Sequence, residues 1–465
     1  MTGEKCGVFA MYGNDECVHD IYRGLDFLQH RGQEYCGISV FGDGINHVTH
    51  HGKVVERFTD AELSQLQGRW GIGHVSLLER QPMKWQTHIG EVAVAFSGNV
   101  INADSLIEEM MARGKSFYKQ YHVEILSKII IEAGDIVDGL VKVASKVRGA
   151  YSLVVLTKEG IYAARDPLGF RPLVLGSDGK RHAVSSESRA LQNLDLEIVR
   201  DVEPGEVVLI DHRGFTTVCR VPSKRIAHCA FEWAYTASID SIIDGLSVQE
   251  ARNNLGRELA QRDIDEGGIE ADIVAPIPLS GIGHAIGYHM QSGMNYQEVF
   301  LYHRYADRSY MQANQAARDR MAKRKLSVLT HAVKNRRIVI CDDSIVRGTQ
   351  IRHKVRDLKD AGAREVHVRV ACPPLMYPCD FGISTRTREE LIARRFLPDG
   401  KFQSLDEQRA LERWIAAETA ADSVKFNSID AFVRALGISR GRLCLACFDG
   451  MWPFNEQESR QQSFK

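Results

Sequence analysis

The 465-residue chain is predicted to fold as an α+β sandwich in its first half and as an α/β domain around a parallel sheet in its second. Three observations carry this. Up to about residue 220, short apolar runs broken by Gly, Asn and Asp (7–13, 36–44, 91–99, 150–160, 206–214) set a strand rhythm. From about residue 246, helices alternate with short, fully apolar strands, the pattern of a parallel sheet with ligands at the carboxyl ends of its strands. The length itself exceeds what one core usually serves, so two domains of about 200 residues each are expected.

In order along the chain, helices interrupt the strands of the first half at 16–30 and 104–133, where apolar residues recur three and four apart. Sheets with outer helices fit that pattern. In the second half, 247–265 reads as an amphipathic helix, 271–281 as a strand into a loop, 336–348 as a second strand into a loop, and 364–374 as a third strand. Residues 349–361 form the crossover helix between the last two, ending at Ala361-Gly362. There is no internal repeat and no low-complexity segment.

Composition excludes some functions. Lys plus Arg (59) nearly balances Asp plus Glu (60), which argues against the basic surface of a nucleic-acid-binding protein. No uncharged apolar run reaches the ~20 residues that span a bilayer, and the start has no signal-peptide pattern, so a soluble, cytoplasmic protein is expected. Ten cysteines are too sparse for a disulfide scaffold. Cys341 and Cys372 sit in or just after apolar runs and read as small hydrophobes.

The sharpest chemical signal is Ile338-Val339-Ile340-Cys341-Asp342-Asp343-Ser344-Ile345-Val346-Arg347-Gly348-Thr349. A buried strand delivers two adjacent carboxylates to its end, and a hydroxyl- and glycine-bearing loop opens into a helix. Such a loop can wrap a phosphate with backbone N–H groups, while the carboxylates face ribose hydroxyls or a hydrated Mg2+. Asp-Asp-Ser alone could merely cap the helix. The whole stretch resembles the phosphoribosyl-diphosphate (PRPP) motif of type I phosphoribosyltransferases.

Further stretches extend that resemblance to the amidophosphoribosyltransferase family, over almost the whole chain. Residues 229–250 look like that family's interdomain segment, and Pro276 to Gly281 resembles its pyrophosphate loop. Residues 303–312, with Gln315, Arg318, Lys325 and Leu326, look like its basic loop that closes over PRPP. The resemblance implies Mg2+ contacts from Ser280, Asp342 and Asp343. It puts Ser344, Arg347, Gly348 and Thr349 on the 5-phosphate, and Ser280, Gly281, Arg304 and Lys325 on the pyrophosphate side. Leu279 stands where the family usually has Asp.

The first half resembles the amino-terminal-nucleophile (class II) glutamine amidotransferases, in the stretches 6–13, 28–39, 164–173, 185–188 and 202–208. By that resemblance Met1 to Lys5 would be a removable leader and Cys6 the catalytic nucleophile, its own α-amine serving as base. The glutamine pocket departs from the pattern. Ser76 replaces an arginine that pairs with the glutamine carboxylate, Ser97-Gly98 replaces the Asn-Gly of the oxyanion hole, and His122 replaces an acidic residue that holds the ammonium group. Gly98 is expected to serve turn geometry and His74 a structural role. Losing a charge-assisted bond costs about 1.5–3 kcal/mol of binding, and losing an oxyanion donor about 2.7–4 kcal/mol of barrier. Glutamine hydrolysis is therefore expected to be impaired.

Cys444 and Cys447 form a CxxC, a weak signal alone. With Cys229 and Cys379 they occupy positions where the iron–sulfur branch of the family carries cluster ligands, which implies a 4Fe-4S cluster or, alternatively, zinc. Expected domains are 1–228, glutamine amidotransferase-like, and 229–465, phosphoribosyltransferase with the cluster-ligand segment. The expected reaction is nitrogen transfer from ammonia or glutamine to PRPP, giving 5-phosphoribosylamine and pyrophosphate at the first step of purine nucleotide biosynthesis. The resemblance also implies purine nucleotide inhibitors and a homo-oligomer. Alternatives are a phosphoribosyltransferase with another amide donor, and a non-catalytic PRPP or nucleotide sensor.

Overall fold

The computed structural model describes residues 6–223, 225–303, 326–382, 385, 387–400 and 404–454. In the first half, two antiparallel sheets face each other. One runs Glu197–Asp201, Val174–Ser177, His182–Ser185, Gly7–Tyr12, Trp70–Ser76, Tyr35–Phe41, Ile45–His51. The other runs Gly214–Arg220, Glu206–Asp211, Gly160–Arg165, Gly149–Thr157, Gly90–Val100, Met83–Thr87. Strand periodicity decides the layering. Val8 and Ala10 point between the sheets to meet Ala93, Ala95 and Val154, while Phe9 and Met11 point outward to Ile21 and Leu25 of the Val18–Phe27 helix. The helices His122–Ile131 and Ile136–Lys146 cover the other sheet through Ile125, Ile129 and Leu140.

The stretch 104–133, read from sequence as one helical run, is two helices, Ala103–Ala112 and His122–Ile131. Gly114, at φ +80°, follows the end of the first. A third helix, Ile136–Lys146, begins after Asp135, whose carboxylate accepts from Asp138 N at 2.8 Å.

In the second half, Ile273–Pro276, Arg337–Asp342, Glu365–Val370 and Ser423–Phe426 pair in parallel, in that order. Here too alternation sorts the faces. Val339 and Cys341 meet the helices Val248–Asp265 and Ile282–Ser292, whereas Ile338 and Ile340 meet Thr349–Asp360 and Leu405–Thr419. The crossover helix lies where the sequence places it. Among the described residues, no helix is long and apolar enough to cross a membrane.

The halves are joined by buried ion pairs. Arg31 donates to Glu187 within the first half and, at 2.7 Å, to Glu232 after the junction. Arg171 donates to Glu232 at 2.5 Å and to the Phe381 carbonyl at 2.9 Å. Arg165 grips Asp244 with two bonds of 2.7 and 2.9 Å.

Candidate functional site

The Arg337–Asp342 strand ends on the acidic pair at the edge of a cavity of ≈ 720 Å³. Ser280, Asp342, Asp343, Ser344, Arg347, Gly348 and Thr349 all line it. The pair is nearly enclosed, at 9 % and 5 % exposure. Ser280 Oγ donates to Asp342 Oδ1 at 3.2 Å, Ser344 Oγ donates to Asp343 Oδ2 at 2.6 Å, and Lys354 Nζ lies 3.8 Å from Asp342 Oδ2. Burial pushes the Asp342 carboxyl above the usual range; Lys354 pulls it down and neighbouring Asp343 adds to the rise. Two adjacent carboxylates with a hydroxyl form a hard-oxygen set of the kind Mg2+ takes.

Gly348, at φ +77°, opens the Thr349–Asp360 helix, and a Cβ there would meet Ile392 Cδ1 at 2.3 Å. Gly281 is not a lining residue. Its N–H is spent on the Ile277 carbonyl at 2.8 Å, and a Cβ would strike the Cys341 carbonyl at 2.1 Å, so it lets the helix start pack against the strand. Leu279 stands 59 % exposed beside Ser280, which still reaches Asp342. Arg304 and Lys325 lie outside the described residues, as do residues 304–324 of the basic loop and the leader Met1 to Lys5.

Lys354, Tyr235 and Glu390 also line the cavity and were not singled out from the sequence. Glu390 pairs with Arg347 at 2.7 Å. Tyr235 belongs to a π turn, Glu232–Thr236, that carries Glu232 at its start, so one short segment reaches both the buried ion pairs and the cavity. Arg252 holds that turn by donating to the carbonyls of Trp233, Tyr235 and Ala237.

Cys6 precedes the Gly7–Tyr12 strand and is 2 % exposed. Its thiol donates to the Phe96 carbonyl at 3.7 Å and accepts from Gly98 N at 3.3 Å. The turn role expected of Gly98 from the sequence is not what the structure shows. The residue sits within the Gly90–Val100 strand at φ +153°, where a Cβ would lie 1.8 Å from the Ala150 carbonyl, and its N–H is aimed at sulfur. His74 donates to the Phe96 carbonyl at 2.9 Å, and burial lowers its pKa to about 3. A neutral, structural histidine results.

The three positions at which the sequence is expected to depart from a glutamine pocket are turned to the protein's own backbone. Ser76 Oγ donates to the Glu79 carbonyl, Ser97 Oγ donates to the Cys6 carbonyl at 2.6 Å, and His122 Nδ1 accepts from Val100 N at 3.4 Å. Burial holds His122 neutral, with a pKa near 4. Sequence reasoning missed Glu79. Its carboxylate, contributed from 43 residues earlier in the chain, accepts from His122 N at 2.6 Å and Val123 N at 3.2 Å, the first N–H groups of the His122–Ile131 helix. Burial raises its pKa to about 7, against those bonds and one from Gln81. The available signal was an acid three residues beyond the lost arginine position.

The cysteines of the quartet are neighbours. Cys229 and Cys444 are register partners on the parallel pair His228–Cys229 and Leu443–Cys444. The Cys447 carbonyl accepts from Met376 N and Tyr377 N at 2.9 and 3.1 Å, bringing the 376–379 segment alongside, and Cys379 Sγ accepts from Phe381 N at 3.4 Å. Burial raises the pKa of Cys229, Cys444 and Cys447, and each is raised further by charge on Cys379. Among the described residues, no three His, Cys, Asp or Glu side chains are arranged to hold a metal ion. A cluster of four irons, wider than a single ion, takes thiolates that are farther apart; the donor set fits it in kind.

A family profile for a glutamine amidotransferase domain matches residues 71–193. An amidophosphoribosyltransferase of Archaeoglobus fulgidus is 38% identical over 464 residues, covering 96% of this chain and 98% of that protein. Another, of Methanothermobacter thermautotrophicus, is 36% identical over 467 residues, covering 97% and 94%. The solved structure of the glutamine PRPP amidotransferase from B. subtilis complexed with ADP and GMP superimposes with a TM-score of 0.88 at 35% identity, covering 97% of this chain and 98% of that one. A structure described as the allosteric regulatory enzyme of purine biosynthesis gives 0.87 at 36% identity, covering 97% and 96%.

Proposed function

The chain belongs to the amidophosphoribosyltransferase family, and on that premise we infer that it transfers nitrogen to PRPP, forming 5-phosphoribosylamine and pyrophosphate at the first step of purine nucleotide biosynthesis. The observation that carries the assignment is the acidic pair Asp342–Asp343 at the lip of a cavity lined by Ser344, Arg347, Gly348 and Thr349. We place the domain boundary at 228/229.

Asp342 and Asp343 contact the ribose hydroxyls, and with Ser280 they would hold Mg2+, which when bound offsets charge on the departing pyrophosphate. The loop and the helix amino-terminus at Gly348-Thr349 take the 5-phosphate, with Arg347 supplying a cation. Arg304 and Lys325, by resemblance on the pyrophosphate side, would offset its charge. The nitrogen lone pair forms the bond to C1 of the ribose as the C1–O bond to pyrophosphate breaks. No protein nucleophile is needed; catalysis is positioning and electrostatic stabilisation of an oxocarbenium-like ribose.

The nitrogen donor is ammonia. What supports this is that Ser76, Ser97 and His122 each turn to the protein's own backbone, with no arginine at position 76 for a glutamine carboxylate and no carboxylate at position 122 for its ammonium. Cys6 remains the candidate nucleophile of a weakened glutaminase. Cys229, Cys379, Cys444 and Cys447 would hold a 4Fe-4S cluster, with zinc the alternative, and the group when bound would tie the junction to the carboxyl-terminal segment. Purine nucleotides act as inhibitors, in line with the ADP and GMP of the B. subtilis relative, and the protein works as a cytoplasmic homo-oligomer. Exposed Leu279, in place of the family's Asp, favours a second reading, a PRPP sensor without turnover.

Product formation from PRPP with ammonium or with glutamine tests this. Turnover with ammonium at least about tenfold above that with glutamine is expected, from the lost binding and barrier terms. Robust glutamine-dependent turnover that vanishes in Cys6→Ala would refute the impaired-pocket reading, and tight PRPP binding without product would establish the sensor.

A further inference from the structure

The departures at positions 76 and 122 leave a problem of space and charge beside Cys6, and the chain solves it with its own side chains. After the Trp70–Ser76 strand the backbone turns so that Glu79 and Gln81 point inward, at 4 % and 1 % exposure. The Glu79 carboxylate sits on the start of the His122–Ile131 helix, bonded to His122 N and Val123 N. Gln81 completes the layer: its Nε2 donates to Glu79 Oε2 at 3.2 Å and its Oε1 accepts from Phe96 N at 2.8 Å. Phe96 is also the residue whose carbonyl accepts from the Cys6 thiol. A carboxylate and a carboxamide from the protein are thus linked to the nucleophile's thiol through Phe96, the same two functional groups that a glutamine substrate would bring to this region. Ser76 locks the arrangement by donating to the Glu79 carbonyl. Cys6, Ser76, Ser97 and His122 are all at or below 4 % exposure around it.

We propose that Glu79 and Gln81 determine the nitrogen donor, filling the amino-acid pocket beside Cys6 so that free glutamine is not admitted and nitrogen reaches the phosphoribosyl site as ammonia. The proposal deepens the ammonia-dependent reading and rests on it. Glu79 supplies, from a different point in the chain, a carboxylate in the region where the family's acidic residue is missing, but both its oxygens are already used by the protein. An incoming amino acid would have to displace these bonds before meeting the thiol.

The test is the rate at which iodoacetamide alkylates Cys6 in the full chain, followed by peptide mass spectrometry. Wild type, Gln81→Ala and the double variant E79A/Q81A are compared, with PRPP–ammonium turnover as a report on folding. Gln81→Ala keeps the helix cap and guards against a double variant that fails to fold. Cys6 is expected to be protected in wild type and alkylated about tenfold faster or more once the plug is cut back, as for a group exposed only by local opening. Turnover with ammonium should stay unchanged. Rapid alkylation of wild type, unaltered in either variant, would overturn the proposal while leaving the ammonia-dependent reading intact. Cys6-dependent glutamine hydrolysis by wild type would overturn both.

Discussion

Burial decides the chemistry of single residues here. Glu79 is enclosed, and burial raises its carboxyl from an ordinary 4.5 to about 7 against the bonds it accepts from His122 N, Val123 N and Gln81. The folded state therefore holds the proton more tightly than the unfolded state. The stabilisation this gives is fully present below pH 4.5 and is lost as pH rises through about 7. Glu79→Gln removes that titration. Urea unfolding at pH 5 and pH 8 should show the variant gaining on wild type at the higher pH, by up to about 3 kcal/mol. An unchanged difference would mean that Glu79 is solvated or paired with a cation. The acidic pair at 342–343 was legible in the sequence because its chemistry is contiguous: strand, acids and loop follow one another within 12 residues. Glu79 was not, because its partners at 122 and 123 are brought to it by folding alone. For Gly98 the residue type was informative and the reason was not. A close backbone approach to Ala150 inside a strand imposes the same demand as a turn.

Among elements, the π turn Glu232–Thr236 matters most for coupling. Glu232 is 1 % exposed and takes bonds from both Arg31 and Arg171, and these arginines together hold its pKa below the usual range against desolvation. Removing the charge leaves two buried guanidiniums short of a partner. Glu232→Gln is expected to cost about 3–5 kcal/mol in urea unfolding. It should also raise KM for PRPP through Tyr235, which the same turn presents to the cavity; a loss within about 0.5 kcal/mol would show the pairs to be incidental. Elements with strong apolar periodicity were legible, including 247–265 and the crossover helix at 349. The break between Ala103–Ala112 and His122–Ile131 was not, since apolar residues continue on both sides and the stop lies in the positive φ of Gly114. The residues of the Leu405–Thr419 helix pack against the far face of the sheet, a role that their own spacing does not announce.

At the scale of the whole molecule, two cores meet at a junction where residues far apart in sequence, Asn99 and Asp380 among them, bond at 2.6 Å. The cysteine quartet belongs to this scale, joining residue 229 to the carboxyl-terminal segment. Anaerobically purified protein is expected to carry iron, with Cys444→Ser losing both the metal and thermal stability; protein with neither iron nor zinc would end the cluster assignment. The two-half architecture was legible from the change in strand rhythm near residue 246, whereas the ion pairs that fix one half on the other depend on docking.

The account rests on PRPP occupying the cavity at the end of the Arg337–Asp342 strand. Titration calorimetry with PRPP and Mg2+ on wild type and on the double variant D342N/D343N addresses it directly. Saturable binding in wild type is expected, weakened about ten- to a hundredfold for each carboxylate replaced. No binding heat in wild type, or equal affinity in the variant, would contradict it.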